Sequence, residues 1–304
     1  MTQERVEFER TNALAKKLYT YEKQVSESLY NALQTMRSEM SRLYDKYAID
    51  GILTKAEMTR YNRYSVMEGQ MLEAIDPALK ANLKTIKRLS PDAYNEAFFR
   101  EAWSIDNASG VRVNWGTINI DVVLEDLANE YDKIAYENYP RFAKQAIRKA
   151  MNNGLTIGKS YAQMMRDLKL AMNITNAAAI RIIRTEGQTA YNKAADDVYL
   201  RAKEKGIEGN EIWDATFDGR TRLDHALADK QIKDIKTGMF TVGGEQAPYP
   251  CWEGLSGAQR INCRCHTRFE IEGYSPQLTR TREQGIIPFQ SYEEWKKNYG
   301  VKVK

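Results

Sequence analysis

The first ninety residues constrain the fold most. Leu18, Tyr21, Val25, Leu29, Leu33, Met36, Met40, Leu43 and Tyr47 follow one another in steps of three and four. That spacing draws one apolar seam down a helix face, and a strand cannot use it because its period is two. The stretch "IDGILTKAEM" interrupts the seam. Gly51 suits a helix C-terminus, and Thr54 with Glu57 has the spacing of a capping box that opens a second helix. The expectation is a long antiparallel helical hairpin over residues 1–89.

Ser90-Pro91 then reads as an N-cap and first-turn proline opening a third helix. "GVRVNWGTINI", β-branched and bounded by glycine, predicts one or two short strands, and helix resumes from Asp121 to "NNG" at 152–154. Ser160 and Gln163 form a second capping box, which predicts a short helix over "SYAQMMRDLKLAM". Asn176 is the expected cap of a longer helix ending at Gly206. Residues 90–206 are thus mostly helical with a short β element. The character changes after Gly206, where "EIWDATFD", "MFTVGG" and "CRCHTRFEI" are short and strand-like. The reading is a small α+β module over 207–272, followed by a tail, 273–304, with "SYEEWKKNYG" as a small amphipathic helix. The fold class is therefore mainly α with a small α+β C-terminal module.

The net charge of +4 permits contact with nucleic acid without announcing it. No apolar run reaches the roughly 20 residues that cross a bilayer. The charged start "MTQERVEFERTNALAKK" does not read as a signal peptide. Three cysteines are too few, and odd in number, for a disulfide framework; they argue for a soluble protein in a reducing compartment.

Those cysteines are nonetheless gathered. His225, Cys251, Cys263, Cys265 and His266 are all the cysteine and histidine in the chain, and they fall between positions 225 and 266. Thiolates and imidazoles are the natural zinc ligands, four of which close a structural tetrahedron, so His225, Cys251, Cys263 and Cys265 are one candidate set. The plainer reading is a buried strand. Cys263 and Cys265 then face the core as small hydrophobes, while Asn262, Arg264 and His266 point the other way. A catalytic thiol is a third option, for which no orienting partner can be named.

"WDATFDGRTRLDHALADKQ" crowds Asp214, Asp218, Arg220, Arg222, Asp224, His225 and Asp229 into a strand, a turn at Asp218-Gly219 and a helix start. A metal-dependent nuclease acting on DNA would need such carboxylates to converge, with Asp214, Asp218 and His225 as its candidates. The alternative is a loop held by arginine–carboxylate pairs. No phosphate loop or other recognised catalytic motif is present, so no catalytic residue is assigned.

Three runs, "RTEGQTAYNKAADD", W-D-A-T-x-D-x-R-T-R-x-x-H and I-N-C-R-C, resemble the phage minor head protein family, the Mu F-like head-morphogenesis proteins. "NEAFFREAWSID", "VNWGTINI" and "AMNNGLTIGKSYAQMMRDL" extend the likeness to about residues 90–270. The resemblance implies a non-enzymatic minor capsid protein of the virion, few in copies, inside the procapsid near the portal. The partners it implies are the portal protein, scaffold or major capsid protein, and double-stranded DNA that is packaged or ejected. The motif positions it carries over are Arg184, Glu186, Trp213, Asp218, Arg220, Arg222, His225, Asn262, Cys263, Arg264 and Cys265. Many relatives have C-x-x-C where this chain runs from Arg222 to His225, and a histidine where it has Arg260. The zinc set implied by the resemblance is thereby reduced to His225, Cys263 and Cys265, with Cys251 standing in.

Overall fold

A computed structural model describes residues 3–116, 137–216, 218–271, 278–281 and 285–288. Its elements are α1 (Gln3–Tyr47), α2 (Lys55–Thr59), a 3-10 turn (Arg60–Asn62), α3 (Arg63–Ser109), α4 (Tyr139–Ile157) and α5 (Tyr161–Glu204). The C-terminal part follows with β1 (Asn210–Asp214), α6 (Leu223–Leu227), β2 (Phe240–Val242), β3 (Glu245–Ala247), α7 (Gly257–Arg260), β4 (His266–Glu270), β5 (Leu278–Thr281) and β6 (Gly285–Pro288). The fold is mainly α with a small α+β C-terminal region. No helix among the described residues is long and apolar enough to cross a membrane.

The chain divides into two compact units. One comprises Tyr19–Arg88 and Ala128–Ile183; the other comprises Met1–Leu18, Leu89–Leu127 and Arg184–Lys304.

The first unit is helical, and the seam is its core. Tyr21, Val25, Leu29, Leu33, Met36, Met40 and Leu43 are buried, as are Met58, Met67, Met71, Met151, Met164 and Met172 of the same unit. The α1 and α3 segments run antiparallel here, with Tyr21 hydrogen-bonded to Arg88 and Ser28 to Asn82. The reversal between them is longer than the single break the sequence predicts, running from Tyr47 to Arg63. Thr54 caps α2, accepting the Glu57 amide at 3.3 Å, but α2 lasts one turn. Tyr61 and Asn62 then take left-handed backbone (φ 54° and 59°) before α3 begins. The Ser160–Gln163 box opens α5, with the Ser160 amide donating to Gln163 Oε1 at 3.0 Å.

Two predicted helix starts are internal to longer helices. Ser90-Pro91 lies within α3, where proline forfeits one backbone bond. Leu89, Ala93, Tyr94, Ala97 and Phe98 around it are buried, and that packing outweighs the cap signal. Asn176 lies within α5, and its side-chain oxygen accepts from Ser26 at 3.1 Å instead of capping a turn. The helix end near Gly206 is local chemistry. Gly206 has φ 79°, and the Ile207 amide reaches back to the Ala202 carbonyl at 3.0 Å, a Schellman-type closure.

The second unit carries two cores. Tyr94, Phe98, Trp103, Trp115, Tyr191, Val198, Tyr199 and Phe269 make one. Trp213, Phe240, Val242, Cys251, Cys263 and Cys265 make the other. Val113 and Trp115 are tied to Asp106 Oδ1 through the Val113 amide and the indole N–H, at 3.0 and 3.1 Å. The remainder of the predicted strand element, the helix start at Asp121 and the helix over 291–300 lie outside the described residues. Among the described residues the sheets are three antiparallel pairs, β1–β4, β2–β3 and β5–β6. In the first, Trp213 faces Thr267 and Asp214 faces His266.

Candidate metal centre

The centre is assembled on a polar stripe of α5. Thr185, Gln188, Thr189, Asn192 and Asp196 lie three or four apart along one face, with Glu186 beside Thr185, and all six are buried. Each binds a loop or the short α7 of the α+β region. Gln188 Nε2 donates to the Cys265 carbonyl at 3.0 Å, and Asn192 Nδ2 to the carbonyls of Cys265 and Pro250 at 3.0 and 2.8 Å. The Thr189 hydroxyl donates to the Cys251 carbonyl at 2.7 Å, and Thr185 Oγ1 accepts the Asn262 amide at 3.1 Å. Glu186 pairs with Arg260 at 2.7 Å. Asp196 receives Lys233 Nζ at 2.5 Å, and Lys233 also reaches Glu211 at 2.8 Å. Burial raises the Asp196 carboxyl despite that lysine.

Sequence reasoning took Arg184 and Glu186 from this run and missed the rest of the stripe. A polar residue at each turn of an otherwise apolar helix was the available signal. Arg184 itself is exposed.

His225 comes from α6, which two contacts set against β1. The Ala215 amide donates to Asp229 Oδ1 at 2.9 Å, and the Lys230 amide to the Trp213 carbonyl at 2.8 Å. The fully buried Trp213 packs edge-on to the His225 ring, centroids 6.0 Å apart, and to Phe240. The cysteines arrive through a tight turn. After α7, Asn262 adopts φ 55° and the Cys263 amide bonds the Arg260 carbonyl, so residues 263–265 run extended into the cluster just ahead of β4.

His225 Nδ1 lies 3.3 Å from Cys265 Sγ and 3.6 Å from Cys263 Sγ. The three donor atoms lie within 4.8 Å of one another, and all three residues are buried. Zinc–sulfur bonds of about 2.3 Å and zinc–nitrogen bonds of about 2.0 Å at tetrahedral angles put donor atoms about 3.5 Å apart, so these three fit one ion. Cys251 stands outside this group. It sits at φ 64°, and its thiol is directed to the carbonyls of Arg260 and Thr185, at 3.3 and 3.4 Å. The Cys263 thiol is pushed up by hydrogen bonding to Cys251 and Cys265. Cys265 is drawn down, first by the Cys263 hydrogen bond, against the opposing effect of burial.

The arginine motif positions brace this arrangement. The Arg264 guanidinium bonds both oxygens of Asp218, which also accepts the Arg220 amide at 2.8 Å. Arg222 donates to the carbonyls of Gln259 and Ile261. The carboxylates proposed for a nuclease do not gather. Asp214 is held by His266 at 3.0 Å, Asp218 by Arg264, and His225 by the thiols. Among the described residues, neither Asp214 nor Asp218 joins a group of three metal donors. His266, expected on the outward face, is buried by that contact with Asp214.

Residues 145–268 match the family described as Phage Mu protein F like protein. The minor head protein GP7 of Bacillus phage SPP1 is 24% identical over 287 residues, covering 91% of this chain and 92% of that one. The NAD(+)–arginine ADP-ribosyltransferase EFV of Enterococcus faecalis (strain ATCC 700802 / V583) is 29% identical over 218 residues, covering 70% of this chain. The match takes in 44% of the Enterococcus protein's length. No solved structure gives a significant match. These matches support a relationship to the phage minor head proteins, carried by residues 145–268 and by the likeness to the SPP1 protein.

Proposed function

We propose that this chain is a minor component of a tailed-phage head that acts in head morphogenesis from the head interior, docked on the portal protein. The observation that carries this reading is the alignment with the SPP1 minor head protein along nine-tenths of both chains. It takes in the helical unit as well as the α+β region. The α1–α3 pair, with Tyr19, Tyr30 and Val66 exposed, offers the docking surface. In this reading DNA contact is secondary, since a net charge of +4 supplies little sequence-independent attraction.

The role is structural in this proposal. The dispersal of Asp214, Asp218 and His225 supports it against a nuclease. The transferase activity named for the Enterococcus protein is not carried to this chain, because the match takes in 44% of that protein's length. Within the α+β region we assign His225, Cys263 and Cys265 to one zinc ion, whose chemistry here is to cross-link α6 to the turn before β4.

The test is assembly. Heads produced without the chain should be defective, and the purified chain should bind the purified portal protein in a fixed ratio. Normal infectious heads without it, or no portal binding, would overturn the reading. NAD(+)-dependent arginine modification by the purified chain would overturn the structural assignment.

A further inference from the structure

We infer that Asp224 and Gln259 are positioning residues that present Nδ1 of His225, rather than Nε2, as the third donor beside Cys263 and Cys265. The inference rests on the three-donor reading of the cluster and deepens it.

Proton bookkeeping along one chain of contacts carries the argument. Gln259 Nε2 lies 2.9 Å from Asp224 Oδ2. A carboxylate accepts and does not donate, so the NH2 end of the amide faces Asp224. The amide oxygen is thereby left facing His225, with Oε1 3.0 Å from Nε2. That oxygen also only accepts and, at 3.0 Å, is closer to Nε2 than the Arg222 nitrogen at 3.5 Å, whose guanidinium donates to the Gln259 and Ile261 carbonyls, so the imidazole proton sits on Nε2. The Nδ1 lone pair is then free, and Nδ1 is the atom 3.3 and 3.6 Å from the two sulfurs. The charge of Asp224 thus decides, two hydrogen bonds away, which ring nitrogen can ligate.

An independent feature holds the pair in place. Gly243, at φ +56° in the β2–β3 turn, presses its backbone on them. A Cβ there would sit 2.1 Å from Gln259 Nε2 and 2.8 Å from Asp224 Oδ2. A glutamine that merely filled space would not need this packing. An outer hydrogen bond that fixes a histidine tautomer is the device by which metal sites orient imidazole ligands.

The experiment uses the full chain, reduced and stripped of metal. Cobalt(II) is titrated and followed by thiolate-to-cobalt absorption, then displaced with zinc. The His225 tautomer is read from ring 15N shifts in the metal-free protein, with His266→Gln telling the two histidines apart. The expected result is one cobalt per chain with thiolate absorption, and an Nε2–H tautomer. Gln259→Leu should weaken binding about 10–100-fold. Gln259→Glu combined with Asp224→Asn reverses the donor between the pair and keeps an acceptor on Nε2, so it should restore affinity. Wild-type affinity in Gln259→Leu, failure of the double variant to restore it, or an Nδ1–H tautomer in the parent would overturn the inference. No thiolate absorption in the parent would overturn the three-donor reading and the inference with it. The tautomer needs neither metal nor variant, so it separates these failures and survives misfolding of Gln259→Leu.

Discussion

Arg260 and Glu186 form a buried ion pair, Nη2 to Oε2 at 2.7 Å, with both side chains more than nine-tenths covered. It bolts α7 to the polar face of α5, one turn ahead of the cysteines. A buried pair is costly to break from one side, because the remaining charge keeps its desolvation penalty without its partner. Arg260→Met alone should therefore destabilise by about 3–5 kcal/mol. The double variant Arg260→Met, Glu186→Leu should recover most of that loss. Chemical denaturation of the three proteins checks the order.

Asn192 donates to two buried carbonyls, those of Pro250 and Cys265. Asn192→Leu keeps the volume and removes both bonds, although Gln188 still serves Cys265. A cost of about 1–3 kcal/mol is expected for the orphaned acceptor. Because those carbonyls anchor the cysteine segments, thiol labelling of the three buried free cysteines should also quicken. Unchanged labelling would mean that the stripe does not hold the loops.

The Arg264 guanidinium, with the Arg220 amide second, holds the Asp218 carboxyl well below the usual carboxylate range. A depressed acid contributes stability above its unfolded value, about 3.9, and loses it as pH falls through the lower folded value. The loop at 218–222 should hold unchanged from pH 7 to about pH 5, and loosen only below about pH 4. Asp218→Asn should remove this acid response. Hydrogen exchange of the loop amides against pH is the measurement.

Gly243 has φ +56° and no room for a side chain. Gly243→Ala adds left-handed strain of about 1–2 kcal/mol, before any displacement of Gln259. The variant should lower the melting temperature. Gly244, also at positive φ (+79°) but with open space around it, should lose less on the same change.

Features written in short-range chemistry were legible in the sequence. The seam from Tyr21 to Leu43, the Ser160–Gln163 box and the Gly206 closure each depend on residues within one or two turns. Signals that long-range packing can override misled. Ser90-Pro91 and Asn176 look like helix starts, yet buried neighbours in one case and Ser26 in the other keep α3 and α5 unbroken.

By itself the sequence determined that this chain is built from long amphipathic helices and that its cysteines and histidines share one short C-terminal window. Spacing could not tell which of those residues meet at a point. The tertiary structure decided that through φ 55° at Asn262, which turns Cys263 and Cys265 inward, and φ 64° at Cys251, whose thiol goes to backbone carbonyls instead. Donor convergence depends on α6 meeting the turn before β4, which the polar face of α5 holds through the Cys265 carbonyl. Such contacts leave no periodic trace, because each partner is a single residue or carbonyl whose position is set by the rest of the fold.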